Sequence, residues 1–260
     1  MTAKGPRAHD PGITIIQKEL FDERRSRRQR YADLVVGRSG WGALLKYEFV
    51  VLASSALPGA LGLWMRSKLY PLILDRVGRN VAFGVNVVLR HPGKIRIGDN
   101  VVIDDNCCLD AKGEANRGID IGSGVFIGRN SVLSCKNGDI VIEDEANIGF
   151  NTEIFSASRV RVGRKVLIAA YTYLVGGDHL YDRVDVPVLD QGRTSQGIEV
   201  GDHAWLGAHV VVTDGSRIGA DAIVGAGAVV VGEVPSFAIA AGIPARVVRD
   251  RREDPASSRV

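Results

Sequence analysis

The stretch IEVGDHAWLGAHVVVTDGSRIGADAIVGAGAVV, residues 198–230, decides the fold. Within it an aliphatic residue returns at every sixth position: Val200, Leu206, Val212, Ile218, Val224 and Val230. Glycine follows at Gly201, Gly207, Gly219 and Gly225, and four places after the aliphatic stands a small or β-branched residue, Ala204, Val210, Ala222 or Ala228. Such spacing matches neither the helical period of about 3.6 nor the strand period of about 2. It fits a short strand followed by a turn, with glycine, Asn or Asp in backbone positions that other side chains resist.

The same period runs back through the chain. Val77, Phe83 and Leu89 form one group, then Ile97, Ile103 and Leu109, then Ile121, Ile127 and Leu133. Ile142, Ile148 and Ile154 follow, and then Val162, Ile168 and Leu174. The register holds inside each group of three and slips only between groups, at 90–96, 110–120, 134–141, 155–161 and 175–199. Three hexads therefore close one triangular coil of about 18 residues, and coils stack at the strand spacing of about 4.8 Å. Asp99-Asn100, Arg129-Asn130 and Asp202-His203 occupy turns, and every insertion leaves at one corner. The count predicts an all-β solenoid of seven coils over 77–235. Each coil buries its aliphatic residues against its neighbours, and none is stable alone. Cys107 falls on a small inward slot and reads as core packing.

The flanks read differently. Residues 1–40 form a basic, partly disordered arm, with some helix over 13–40 and a run of Arg24, Arg25, Arg27, Arg28 and Arg30. Residues 41–76 predict two short amphipathic helices broken at Pro58-Gly59, a cap over the first coil, whose open strand edges need covering. Their apolar surface also suits peripheral contact with a membrane. The apolar run from Phe49 to Met65 is short for a membrane span. Residues 251–260 read as a disordered tail.

Composition is that of a globular chain, with 45% hydrophobic and 24% charged residues. A net charge of +3 gives no global field to attract nucleic acid. Three cysteines show no metal-ligand spacing, and MTAKGPRAHDPG lacks an apolar signal core, so a reducing cytoplasm is expected, at most peripheral to the inner membrane face.

The longest insertion, the loop 180–197, follows Gly176-Gly177-Asp178-His179. Long excursions from a rigid scaffold carry sites. The hexad phase puts His179 outward and Asp178 at a normally small inward position. Trp205 also faces outward.

The repeat [LIV]-G-x-x-[small]-x resembles that of the hexapeptide-repeat acyltransferases over residues 77–250, and most closely the sugar and polysaccharide O-acetyltransferases. The resemblance, not the period, supplies handedness, since parallel crossovers are normally right-handed; it implies a left-handed parallel β-helix. It also implies an acetyl-CoA-dependent O-acetyltransferase with His179 as general base, standing before the loop that returns to Ile198–Gly207. Imidazole suits that task because its ordinary pKa lies near neutrality. The backbone N–H of Ala208 is the implied oxyanion donor. Asp178, Asp182 or Asp185 would orient the imidazole, and the sequence does not choose among them.

Val224-Gly-Ala-Gly-Ala-Val-Val230 and Ile239-Ala-Ala-Gly-Ile-Pro-Ala-Arg246 are similar to the family's CoA-binding end. This implies cofactor contacts from Trp205, Gly207, Ala208, Ala226 and Gly232, with Arg246 and Arg249 at CoA phosphates. Where many relatives carry Thr-Lys-Asp, this chain has Val231-Gly232-Glu233. Galactoside-type relatives place an asparagine thirty residues before the histidine, where Gly149 stands. Asn151 and Asp182 are the candidate acceptor contacts. The resemblance further implies a homotrimer with the site between two parallel prisms, a sugar or polysaccharide-precursor acceptor, and no metal.

Other readings are a serine O-acetyltransferase, whose helical domain usually exceeds the 76 residues here, an amino-sugar N-acetyltransferase, and a structural solenoid. A γ-class carbonic-anhydrase-like zinc protein is the last. His203 and His209 are one hexad apart, the wrong separation for its ligands, and His91 reads as a turn residue.

Overall fold

The computed structural model describes residues 26–253. Arg24, Arg25 and most of the expected terminal tail lie outside these residues. The chain folds as a parallel β-helix of three sheets, the left-handed β-helix that the resemblance implies. Its first face carries eight parallel strands, from Arg76–Val77 to Glu233–Val234. The second runs from Ala82–Phe83 to Ala238–Ala241 and ends with Arg246–Asp250 laid antiparallel on it. The third carries seven strands, from Val88–Arg90 to Val229–Val230.

Register follows the hexads. Phe83, Ile103, Ile127, Ile148, Ile168, Leu206 and Val224 pair in one column, each fully buried. The solenoid is longer than the sequence count by two faces of an eighth coil, Glu233–Val234 and Ala238–Ala241. The reason is spacing: Val234 follows Val230 after four residues instead of six, and Ala240 replaces a large aliphatic in the column.

Corners are left-handed residues. Asn80, Asn86, Asn100, Asn106, Asn130 and Asn151 have φ between 53° and 60°, where Asn is tolerated best. His203 and His209 sit at the same kind of corner, at φ 62° and 58°. At several corners the N–H one residue earlier, which has no ladder partner, is taken by a carboxylate from the next coil. Arg79 donates to Asp99, Val85 to Asp105, Ser123 to Asp144 and Arg164 to Asp202, at 2.7 to 3.1 Å.

Helix α1 (Arg27–Tyr31), α2 (Trp41–Ser54) and α3 (Gly59–Leu69) precede the coils. They cover the open edge of the first coil with side chains. Tyr47 donates to the Leu89 carbonyl, Tyr70 to Val87 and Arg66 Nε to Phe83. The buried phenols of Tyr47 and Tyr70 are pushed up to about 12, chiefly by loss of solvent. His91 is the expected turn residue, at φ 51°, but it is also buried, with Nε2 2.8 Å from the Asp33 carbonyl.

One expectation about α2 needs revision. It is apolar on two sides: Tyr47 and Val50 are buried, while Trp41, Leu45, Phe49 and Leu52 are 61–82% exposed. No described helix is long and apolar enough to cross a membrane.

Candidate active site

At the end of the third face the strands run on straight, so the inward residues there are His91, Ala111, Cys135, Ser156 and Gly176, two places after each aliphatic. This corrects the expectation for Asp178. The chain leaves the coil at Gly176, and Asp178 is exposed on the departing loop instead of facing inward. A Cβ on Gly176 would meet Val160 Cγ2 at 2.7 Å, so the exit needs glycine.

Asp178–His179 pairs antiparallel with Arg193–Thr194, a small hairpin on the departing loop. His179 is half-buried, outside the aliphatic core, and lies opposite Arg193. Its Nδ1 is buried and makes no hydrogen bond among the described residues. Asp178 accepts from the His179 backbone N–H at 2.8 Å, not from the ring. Asp182 is exposed, and Asp185 is paired to Arg183, which holds its carboxyl below the usual range. None of the three orients the imidazole in this structure.

The hairpin is pinned by residues that the sequence reading missed. Asp214 Oδ2 accepts from the Gln196 N–H at 2.8 Å, and Oδ1 accepts from the Gly197 N–H at 2.9 Å. Ser195 Oγ donates to the Gly176 carbonyl at 3.0 Å and lies 2.7 Å from Ser158 Oγ. Gln191 Nε2 holds the loop tip through the carbonyls of Arg183 and Val186. The available signal was Asp214, the carboxylate one coil above the point of return.

The other candidates gather at a different corner. Trp205 stands in the outward row of the second face, between Leu167 and Ile223, and is 47% exposed. Gly207 is buried, and beyond it the Ala208 carbonyl accepts from Gly227 at 2.8 Å. The Ala208 N–H meets no acceptor among the described residues, and Ala226 stands above it where Asp105 caps Val85 in the first coils. Asn151 is the left-handed residue of this corner one coil before His179, with its N–H on the Arg129 carbonyl. An aromatic ladder climbs the same corner: Arg129 lies over Phe150, Phe150 is edge-on to Tyr171, and Tyr171 stacks on His209 at 4.9 Å.

The third face separates the two groups. From Ala170, below Ala208, to Gly177 the chain passes the turn at Tyr171 and crosses the face along Tyr173–Gly176, about 20 Å at about 3.3 Å per residue. Within one chain, His179 therefore does not meet Ala208, Trp205 or Asn151.

Around Ala208 the surface is small: Gly207, Gly225, Ala226 and Gly227, with a Cβ at Gly227 meeting nothing within 4 Å. Together with the unpaired N–H of Ala208, this fits an extended amide chain such as pantetheine. Gly232 has φ 95° and similar open space. Arg246 and Arg249 lie on the final antiparallel strand, Arg246 exposed. Among the described residues no three His, Cys, Asp or Glu side chains are placed to hold a metal ion.

Two family models match the chain: bacterial transferase hexapeptide (six repeats) over residues 197–232, and hexapeptide repeat of succinyl-transferase over 76–111. The chain is 32% identical over 134 residues to a probable acetyltransferase of Mycobacterium tuberculosis, covering 52% of this chain and 45% of that protein. It is also 32% identical over 134 residues to galactoside O-acetyltransferase of Escherichia coli, covering 50% and 55%. The chain thus spans about half the length of these relatives. A putative lipopolysaccharide biosynthesis O-acetyl transferase of Escherichia coli is 29% identical, over 55% of this chain and 75% of that protein. Among solved structures, AntD, an N-acyltransferase from Bacillus cereus in complex with dTDP and coenzyme A, shares the fold with TM-score 0.53 and 18% identity, covering 77% and 92%. With seven closed coils and two matches to hexapeptide-repeat models, the chain is similar in repeat and fold to the hexapeptide-repeat acyltransferases.

Proposed function

We propose that this protein is an acetyl-CoA-dependent O-acetyltransferase that acylates a sugar hydroxyl of a surface polysaccharide, an exopolysaccharide or its precursor. The observation that carries it is His179: a half-buried imidazole on a pinned hairpin, with no partner on its ring among the described residues. His179 takes the proton of the acceptor hydroxyl as that oxygen attacks. A positioned base of this kind contributes about 10²–10⁴-fold in rate. Acetyl-CoA, lying along the small-residue surface of Gly207, Ala208 and Ala226, supplies an acetyl group activated as a thioester; the ester C–O bond forms as the C–S bond breaks, and CoA leaves as its thiol with the proton returned from His179. The Ala208 N–H donates to the acyl oxygen as negative charge builds there, and Trp205 walls the thioester arm. Arg246 and Arg249 hold CoA phosphates, Gly232 leaves room beside them, and Asn151 and Asp182 contact the acceptor.

Because the two halves lie at opposite edges of one face, the reading requires a second chain. The homotrimer supplies it, His179 coming from one chain and Trp205 and Ala208 from its neighbour. Support comes from the outward row of the second face, where Val102, Phe126, Leu167 and Trp205 are 37–47% exposed and in register. Peripheral docking on an anionic membrane from the cytoplasmic side fits the apolar stripe of α2, rimmed by Arg28 (4.2 Å over Trp41), Lys46 and Lys68. Failure to float with vesicles containing anionic phospholipid would remove the membrane part alone.

The deciding experiment is His179→Ala. Acetyl transfer from acetyl-CoA to sugar acceptors disappears while the circular dichroism and thermal midpoint stay those of the native chain. Transfer surviving in that variant would end the mechanism.

A further inference from the structure

We propose that the corner carrying His179 also holds an anion-binding subsite, formed by Lys136 and Arg193, which takes the phosphate or carboxylate of a negatively charged sugar acceptor. The inference deepens the transferase reading and rests on it.

Register builds the subsite. Along the exit of the third face, Lys112, Lys136, Ala157 and Gly177 occupy one outward position in successive coils, since Asp110, Ser134, Phe155 and Val175 pair just before them. The row therefore begins with two lysines and ends with two residues too small to cover them. A Cβ on Gly177 would meet Ala157 Cβ at 2.8 Å, the Phe155 ring at 3.8 Å and the Thr194 carbonyl of the returning loop strand at 3.9 Å. That ring has the Lys136 ammonium 5.5 Å from its centroid. Arg193 comes from the returning loop strand and faces His179 across the hairpin. A cation from the coil and a cation from the loop are thus both carried at the corner from which the His179 hairpin departs.

Charge at this corner is unbalanced. Neither Lys136 nor Arg193 has a carboxylate at ion-pair distance among the described residues, and both are half-buried. Among the described residues the acidic group acting on Lys136 is Asp110, which Arg90 already approaches at 3.8 Å. The Lys136 ammonium is held below the usual lysine range by burial and then by Arg193, with Lys112 and Arg90 adding repulsion and Asp110 opposing it. An ordinary solvated lysine would swing away from such neighbours. Holding two cations together without a counter-ion raises the energy of the empty site, and an oxyanion placed between them lowers it.

The position along the axis selects the acceptor over CoA. Lys136 lies two coils before the coil that ends at His179, whereas Arg246 and Arg249 lie past the last closed coil. At about 4.8 Å per coil, the two basic groups are on opposite sides of the imidazole and about 20 Å or more apart along the axis.

The test measures binding of glucose 1-phosphate, glucuronic acid and uncharged glucose by titration calorimetry and saturation-transfer NMR. The native protein, Lys136→Gln/Arg193→Gln and His179→Ala are compared. At least one anionic sugar should bind the native protein about tenfold or more tightly than glucose, and the double variant should lose that preference. Which anion is preferred distinguishes a phosphorylated from a uronic acceptor. Equal binding of all three sugars, or a preference that survives in the double variant, overturns the subsite. His179→Ala separates the two readings: it abolishes transfer if His179 is the base, yet it keeps the anion preference. Transfer that survives there overturns the base, while the binding comparison still judges Lys136 and Arg193.

Discussion

Asp214→Ala tests how the hairpin that carries His179 is held. The carboxylate accepts two backbone N–H groups, from Gln196 at 2.8 Å and Gly197 at 2.9 Å, and a weaker bond from Ser195 Oγ at 3.3 Å. Hydrogen bonds to charged groups contribute about 1.5–3 kcal/mol each when buried. Asp214 is half-buried, so about 1 kcal/mol for each backbone bond is the appropriate scale, and local opening of the loop becomes easier by about 2–3 kcal/mol. At about 1.4 kcal/mol per factor of ten, the opening equilibrium rises by about 30–100-fold. Native-state hydrogen exchange reads this directly. Protection of the Gln196 and Gly197 amides should fall by that factor, and the loss should extend to Leu180, whose N–H bonds the Gly192 carbonyl at 3.1 Å. Global stability should change far less, because the aliphatic columns do not touch this carboxylate. Unchanged protection at Leu180 would show that the hairpin holds itself and that Asp214 does not position His179.

Two further outcomes follow from the core and the cap. Ile148→Ala, in the middle of the fully buried column from Phe83 to Val224, should cost about 2–5 kcal/mol in chemical denaturation, since stacked coils on both sides prevent the void from closing; a cost under about 1 kcal/mol would contradict rigid stacking. Burial lowers the His91 imidazole below its ordinary value, so as pH falls below about 6.5 the unfolded chain takes the proton before the folded one. Its contribution to stability is complete above about pH 6.5 and declines as pH falls through the lowered folded value. His91→Gln should therefore flatten the acid side of the melting-temperature profile, and an unchanged slope would refute that assignment.

The hexad period made the aliphatic columns legible because each buried position repeats at fixed spacing, and Val200, Leu206 and Val212 occupy the three faces as read. It failed where the spacing fails. Val234 lies four residues after Val230, so the partial eighth coil went uncounted, and Asp178 was given an inward phase in a coil the chain had already left at Gly176. The outward face of Trp205 also followed from phase, whereas His179 lies off the coil on the hairpin, where phase no longer applies. What phase does not encode is contact across an insertion. Asp214 reaches Gln196 and Gly197 from the next coil, and Arg193 reaches the His179 strand only because the loop turns back on itself. The second apolar side of α2 was hidden because exposure is set by how the helix docks, not by its composition.

The separation of His179 from Ala208 makes the shared-site reading testable by mixing. A prism has three edges, and groups on two of them never approach however the coils are decorated; only packing of neighbouring prisms brings one chain's edge to another's. In a closed threefold ring each site would then draw its imidazole from one chain and its backbone donor from the next. His179→Ala removes the first. Ala208→Pro removes the second, and no ladder bond is lost because that N–H has no partner among the described residues. Each variant alone should be inactive. After co-refolding in equal amounts, a site is intact when its imidazole comes from the proline variant and its donor from the alanine variant, a chance of one half for each, so about one quarter of native activity should return. An active mixture is incompatible with a site inside a single chain. Continued inactivity in verified mixed trimers would mean that His179 and Ala208 do not serve one site, and the interchain mechanism would fall.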